Sequence, residues 1–267
     1  MTTKLSRLEI AIKAAVDAGN LLVSHYGKIS KLKQKESLRD VVTDIDKLSE
    51  SAILTVLNKN DPDFGVLTEE SGFVGPETED FWVVDALDGT VNYIHQVPLF
   101  SVSVAFFQGG KPVIGAVYNP LAKDLYYSEL GKGSFKNQIQ LKIEDTPITE
   151  NLMSMAFSGK LYKPEERHKE FELFGKLNDN SQGCLRTGSA AMNLAYVSDG
   201  HFGAAVGKAS KLWDIAAGLV LAESAGAKVN YKLIDKERHL VDYIAATPQC
   251  FSDIINTVKP SYLELDI

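Results

Sequence analysis

Residues 81–90 read Phe-Trp-Val-Val-Asp-Ala-Leu-Asp-Gly-Thr. Phe81 to Val84 form an apolar run with the length and composition of a buried strand. The spacing predicts a strand over 81–84, with Asp85 and Asp88 placed just beyond its end. Other buried runs also finish on acids. Residues 64–67 (FGVL) lead straight into Thr68-Glu69-Glu70, and Trp213-Asp214 opens a helical pattern continued by Ile215-Ala216-Ala217-Gly218. Carboxylates gathered in one place repel one another unless a cation lies between them. An oxygen-only ligand set without His or Cys favours hard ions, Mg2+ above all, usually with phosphate as a further ligand. The Gly89-Thr90 peptide leaves backbone N–H groups free in a turn, where they can cradle phosphate oxygens.

Taken singly, each acid has a plainer reading. Asp85 can cap a turn, and Glu69-Glu70 can simply be solvated. Asp214 suits the first turn of a helix, where the dipole favours a negative charge. Asp40 and Asp46 can form a helix-start cluster ahead of residues 47–57.

The rest of the chain narrows the class. Its 267 residues suit one large domain or two fused ones, and 45% hydrophobic with 24% charged residues excludes a disordered or collagen-like chain. A net charge of −7 argues against general nucleic-acid binding and against an anionic membrane surface. The only cysteines, Cys184 and Cys250, form no CxxC pair, so neither a structural zinc site nor a disulfide framework is expected. No apolar run reaches the ~20 residues of a transmembrane helix. The amphipathic start carries Glu9 and Asp17, unlike a signal peptide. A soluble, cytoplasmic protein is the expectation.

Apolar spacing predicts helices over 4–26, with Gly27 as a stop, and 47–57. Residues 28–40 are basic and polar, a loop or weak ribbon. Strand-type segments follow at 100–107, 112–118 and 124–128. Beyond residue 145 strand candidates (152–157, 202–206, 228–231, 242–246) alternate with helices (164–177, 188–198, 214–225, 249–258). The fold class expected is α/β: an α+β lobe over 1–147 packed on an α/β lobe over 148–267.

Four motifs, in order and spacing, resemble one family. Asp40-Val41-Val42-Thr43-Asp44-Ile45-Asp46 fits its D-x-x-T-x-x-D element. Thr68-Glu69-Glu70-Ser71-Gly72 looks like G-E-E-S-G with Thr in the first place. Residues 82–93 resemble W-[VI]-[VI]-D-P-[IL]-D-G-T-x-N-[FY], and Trp213 to Gly218 match W-D-x-A-A-G. This is the inositol monophosphatase-like superfamily of Mg2+-dependent, lithium-sensitive phosphatases. The resemblance implies a layered α-β-α-β-α sandwich and a homodimer.

It also implies roles. Glu69 and Asp85, with the Leu87 carbonyl, would hold one Mg2+. Asp85, Asp88 and Asp214 would hold a second, and Glu69 would support a third through water. Thr90 would orient the nucleophilic water and pass its hydroxyl proton to Asp46, so no His base is needed. The amides of Gly89 and Thr90 would bind phosphate, beside Asp88 and Asp214. Gly188, Ser189 and Ala190 would line the substrate pocket at a helix start, which suits an anionic or polyol ligand. The substrate implied is a small phosphorylated polyol, inositol 1-phosphate first.

Three departures bear on that substrate. Ala86 replaces the usual Pro and Val91 a common second Thr. No Glu stands about six residues before Trp213-Asp214, where the animal inositol-specific enzymes have one. Lys208 or Lys211 is available there for a second phosphate, which raises fructose 1,6-bisphosphate or a 3′(2′),5′-bisphosphate nucleotide as the alternative. A haloacid-dehalogenase-type phosphatase needs D-x-D-G-T, whereas VVDALDGT has two residues between its aspartates. A non-catalytic interaction protein on this fold would have lost a ligand, and none is missing. Gly109-Gly110-Lys111 and Gly131-Lys132-Gly133-Ser134 lack P-loop spacing, and the second reads as a turn after strand 124–128. The five histidines are scattered, and Cys184 reads as a small buried apolar residue.

Overall fold

The computed structural model describes residues 5–28, 32–34, 41–158 and 163–266. Asp40 lies outside them, so its place in the first motif has no structural counterpart here. Helix α1 spans Arg7–His25 and α2 spans Asp44–Asn60. A capping box starts α1: the Ser6 N–H reaches Glu9 Oε2 at 2.7 Å, and the Glu9 N–H reaches Ser6 Oγ at 3.3 Å. Gly27, at φ +76, follows the helix end as expected. Between the two helices β1 (Leu32–Gln34) and β2 (Val41–Thr43) pair as an antiparallel ribbon.

The next eight strands are β3 (Gly65–Thr68), β4 (Gly72–Val74), β5 (Phe81–Asp88), β6 (Ser101–Gln108), β7 (Lys111–Asn119), β8 (Asp124–Glu129), β9 (Ser134–Lys136) and β10 (Ile139–Leu141). They form one sheet in the order β10-β9-β8-β7-β6-β5-β3-β4. Only the β3–β5 pair in it is parallel. A second sheet has the order β12-β11-β13-β15-β14, built from β11 (Leu152–Ala156), β12 (Gly183–Leu185), β13 (Ala204–Lys211), β14 (Lys228–Asp235) and β15 (Leu240–Ala246). The remaining helices are α3 (Thr90–Ile94), α4 (Arg167–Asp179), α5 (Ala190–Ser198), α6 (Leu212–Ala225) and α7 (Pro248–Asp253), the last continued by a π-helical turn over Ile254–Val258.

Side-chain alternation along the strands sorts these elements into layers. On the first sheet Trp82, Val84, Val102, Val104 and Phe106 face α1 and α2. Val83, Ala105, Phe107 and Val117 face the opposite way, onto α5 and α6. On the second sheet Ala205, Val241, Tyr243 and Ala245 meet that same helical layer. Ala204, Val206, Ile244 and Ala246 turn outward to α4 and α7. The order is α-β-α-β-α, the expected sandwich, with α5 and α6 in the middle.

Helix α6 approaches both neighbours closely. A Cβ placed on Gly115 of β7 would stand 2.4 Å from the Ala217 carbonyl oxygen, and one on Gly218 would stand 2.4 Å from Leu194 Cβ in α5. Both positions need glycine for space alone.

Candidate active site

Three local devices bring Glu69, Asp85, Asp88 and Asp214 within electrostatic reach of one another. The first is the parallel register of β3 and β5, in which Thr68 pairs with Val84. Glu69 directly follows the end of β3, and Asp85 is the next residue on β5. Neighbouring strands run about 4.8 Å apart, so the two acids emerge side by side.

The second device is a bulge, and it corrects the expected end of the strand at Asp85. β5 continues to Asp88, with Asp85 opposite Ser103 and Asp88 opposite Ser101. Three steps on β5 therefore match two on β6. On a regular strand residues three apart face opposite ways; the extra residue returns Asp88 to the face of Asp85. That face looks onto α5 and α6.

The third device is the start of α6. Asp214 is its third residue, and the carboxylate reaches back to the Lys211 N–H, the reciprocal half of a capping box. The Ser103 hydroxyl donates to the Trp213 carbonyl at 3.1 Å and ties this helix start to the first sheet.

The electrostatics follow from burial and crowding. Asp85 is 2% exposed and Asp88 6%. Burial first, then the charges of Glu69, Asp214 and Asp88, hold the Asp85 carboxyl well above its ordinary range; the Leu87 N–H, donating to Asp85 Oδ1 at 2.9 Å, opposes this. Asp214 is raised well above its ordinary value too, by burial, then by Asp88 and Glu69. Asp88 is pushed up to about 6 by burial, against hydrogen bonds that favour its charge. Those bonds come from the start of α5: the Ser189 hydroxyl and the N–H groups of Ala191 (3.0 Å) and Ala190 (3.3 Å), joined by the Ser101 hydroxyl at 3.4 Å. Ser189 is also the N-cap of α5, accepting the Met192 N–H at 3.2 Å.

Thr90 and Asp46 are hydrogen-bonded to each other. The Thr90 hydroxyl stands 3.1 Å from Asp46 Oδ1 and 3.1 Å from the Leu87 carbonyl oxygen. Gly89 takes φ +91, and a Cβ on it would stand 3.2 Å from the Leu99 carbonyl, so the turn from β5 into α3 needs glycine twice over. Gly188, at φ +90, packs against the Asn92 amide. Asn92 Nδ2 donates to the carbonyls of Leu99 (2.8 Å) and Thr187 (2.9 Å), joining the turn after β5 to the loop before α5.

The donor chemistry fits a hard divalent cation: oxygen only, several acids, with the neighbouring charges favouring the protonated form at Asp85 and Asp214. Among the described residues no three His, Cys, Asp or Glu side chains converge on one point. Asp88 is turned onto α5 and Asp85 onto the Leu87 N–H.

One expectation is overturned. Lys208 does not face the cluster as a second phosphate ligand. It is 1% exposed, and its Nζ meets Asp242 Oδ2 at 2.9 Å and Glu264 Oε1 at 3.2 Å. Asp242 Oδ1 takes the Ala209 N–H at 2.8 Å, where β13 bulges and Ala209 adopts φ +48. A buried ammonium needs such partners. Lys211 stays near the site: its Nζ donates to the Arg238 carbonyl at 3.1 Å, and its charge favours ionised Asp214. Cys184 is buried as expected, and burial pushes its thiol up to about 12. A cleft of about 410 Å³ beside α4 shares no residue with the cluster, and its lysines 163, 169 and 176 pair with Glu264, Glu166 and Glu172. Sequence reasoning missed Ser49, Glu50, Asn92 and Ser101, whose partners are 13 to 95 positions away except for the Asn92–Leu99 contact.

The sequence profile of the inositol monophosphatase family matches residues 4–240. A protein of Pasteurella multocida named Nus factor SuhB is 34% identical over 261 residues, covering 95% of this chain and 96% of that one. An Aquifex aeolicus protein named fructose-1,6-bisphosphatase/inositol-1-monophosphatase is 33% identical over 266 residues, 97% of each. The crystal structure of extragenic suppressor protein suhB from Bartonella henselae superposes with a TM-score of 0.85 at 28% identity, covering 95% of this chain and 98% of that one.

Proposed function

The chain belongs to the inositol monophosphatase family, and from that premise we propose that it is a Mg2+-dependent phosphomonoesterase acting on a small phosphorylated polyol, inositol 1-phosphate first. The observation that carries this reading is the electrostatic proximity of Glu69, Asp85, Asp88 and Asp214: burial raises the carboxyls of Asp85, Asp88 and Asp214, and the neighbouring acids add to it at Asp85 and Asp214.

Glu69, Asp85, Asp88 and Asp214, with the Leu87 carbonyl, would hold two to three Mg2+ ions. Bound there, the ions would offset the charge of the ester and lower the pKa of water. Asp46 accepts the Thr90 hydroxyl proton, which leaves the Thr90 oxygen lone pairs turned to water and so orients it for attack on phosphorus. The backbone N–H groups of Gly89 and Thr90 bind the phosphate oxygens, and Gly188, Ser189 and Ala190 line the pocket for the alcohol. In this reading the lobe over 1–147 supplies most ligands, while the lobe over 148–267 supplies Asp214 and the pocket. Lithium inhibition, a homodimer and a cytoplasmic setting belong to the same proposal.

The engagement of Lys208 with Asp242 favours a monophosphate over a bisphosphate, since it removes one of the two lysines a second phosphate would use. A second reading, a binding role on this fold, draws on the relative named Nus factor SuhB; the filled set of acids favours hydrolysis. Phosphate release from inositol 1-phosphate, fructose 1,6-bisphosphate and 3′-phosphoadenosine 5′-phosphate, with Mg2+ and with chelator, tests this. Metal-dependent turnover of inositol 1-phosphate far above the others is expected. Folded protein that releases phosphate from none of them would move the binding role to first place.

A further inference from the structure

One face of α2 grips the loops that carry the first-sheet carboxylates. Residues 46, 49 and 50 are three and four apart, hence neighbours on the helix surface. Asp46 takes the Thr90 hydroxyl at 3.1 Å, and the Ser49 hydroxyl donates to the Ala86 carbonyl at 2.8 Å, between Asp85 and Leu87. Glu50 takes the third contact: its Oε2 accepts the Glu70 N–H at 3.0 Å and its Oε1 accepts the Ser71 hydroxyl.

Glu50 is 4% exposed, and no lysine or arginine pairs with it among the described residues. An ionisable group so buried costs free energy that a smaller polar residue would not. What it provides is local. The backbone at Glu69 is held on one side by the β3–β5 ladder at Thr68 and on the other by Glu50 at Glu70 and Ser71. Thr68 closes the turn from within, its hydroxyl accepting the Ser71 N–H at 3.0 Å and donating to the Gly72 carbonyl at 3.1 Å.

We propose that Glu50 is a positioning residue for Glu69: through Glu70 and Ser71 it fixes where the Glu69 carboxylate stands beside Asp85. The inference rests on the reading of the cluster as a divalent-cation site. Groups that orient metal ligands carry about 10- to 100-fold in metal affinity. The consequence for Glu50→Ala is a loss of that size in Mg2+ affinity, measured by calorimetry without substrate, and an equal rise in the Mg2+ needed for half-maximal phosphate release. KM for inositol 1-phosphate at saturating Mg2+ stays within about threefold, because neither Glu50 nor its partners reach the ester. Glu50→Gln, which keeps one acceptor, and Ser71→Ala, which removes one donor, fall between Glu50→Ala and the parent.

Melting of each variant in chelator separates a purely structural role. Should Glu50→Ala melt lower yet bind Mg2+ with parental affinity well below its melting temperature, the positioning role is overturned. If the parent protein binds no Mg2+ by calorimetry, the reading of the cluster falls first and the role of Glu50 with it.

Discussion

The Asp88 carboxylate accepts the backbone N–H of Ala191, 103 residues later in the chain, at 3.0 Å. This bond sets an acid of the first sheet on the N-terminus of the middle helical layer, where the dipole favours its charge. Burial nonetheless dominates, and the carboxyl is raised to about 6.

Replacing Asp88 with Asn keeps the size of the side chain and one acceptor for α5. The variant should fold, with turnover lowered by more than about 100-fold, the scale of a lost group that acts on developing charge. Circular dichroism and phosphate release check both halves. Near-parental activity would remove Asp88 from the site.

The raised carboxyls make stability depend on pH. An unfolded Asp titrates near 3.9, whereas Asp88 in the folded chain titrates near 6. Between those values the folded form binds more protons, so this contribution is full below about 4 and is lost as pH rises through 6. Asp85 and Asp214 act in the same direction. In chelator, the melting temperature of the parent relative to Asp88→Asn should fall as pH rises from 4 to 7. Mg2+ should stabilise the parent more at pH 7.5 than at pH 5, because it favours the ionised acids. A flat difference across that range would contradict the account.

Much of this was legible in the sequence. The buried runs, the long helices and the acids at the run ends all carry local signals, and the motif order identified the family. The three-residue strands β4, β9, β10 and β12 were not legible, being too short to show a period. Nor was the extension of β5 to Asp88: the residues after Val84 break the apolar run, and only the pairing with Ser103 and Ser101 reveals a bulge. Lys208 was misread because its partners, Asp242 and Glu264, lie 34 and 56 positions away.

That correction has a measurable form. Removing one partner of a buried ion pair costs about 3–5 kcal/mol. Lys208→Met should lose about that much stability in urea denaturation while inhibition by inorganic phosphate is unchanged. A tenfold weaker phosphate inhibition at parental stability would return Lys208 to the substrate.

Ser189 serves two masters, as N-cap of α5 and as donor to Asp88. Ser189→Ala should cost about 1 kcal/mol through the cap. It should also shift the titration of Asp88 upward, since a bond that favours the charged form is gone. Chemical denaturation in chelator at several pH values reads both effects. An Asp88 midpoint that moves down would refute the second.

The β7–α6 contact predicts an effect without touching any acid. Gly115→Val forces side-chain atoms onto the Ala217 carbonyl, which a Cβ alone would meet at 2.4 Å. Overpacking of this kind costs about 1–3 kcal/mol. It should also raise the Mg2+ requirement, because Asp214 rides on the same helix. Unchanged Mg2+ dependence at lowered stability would show that α6 absorbs the strain without moving its first turn.

The middle layer has one more consequence. Leu67 and Val83 of the first sheet and Ala205 and Tyr243 of the second share a single apolar core with α5 and α6. Because both sheets share this core, Asp214 and Asp85 are expected to keep their separation until that core opens. Amide hydrogens on β5 and α6 should then exchange only through global unfolding, at one common rate-limiting free energy.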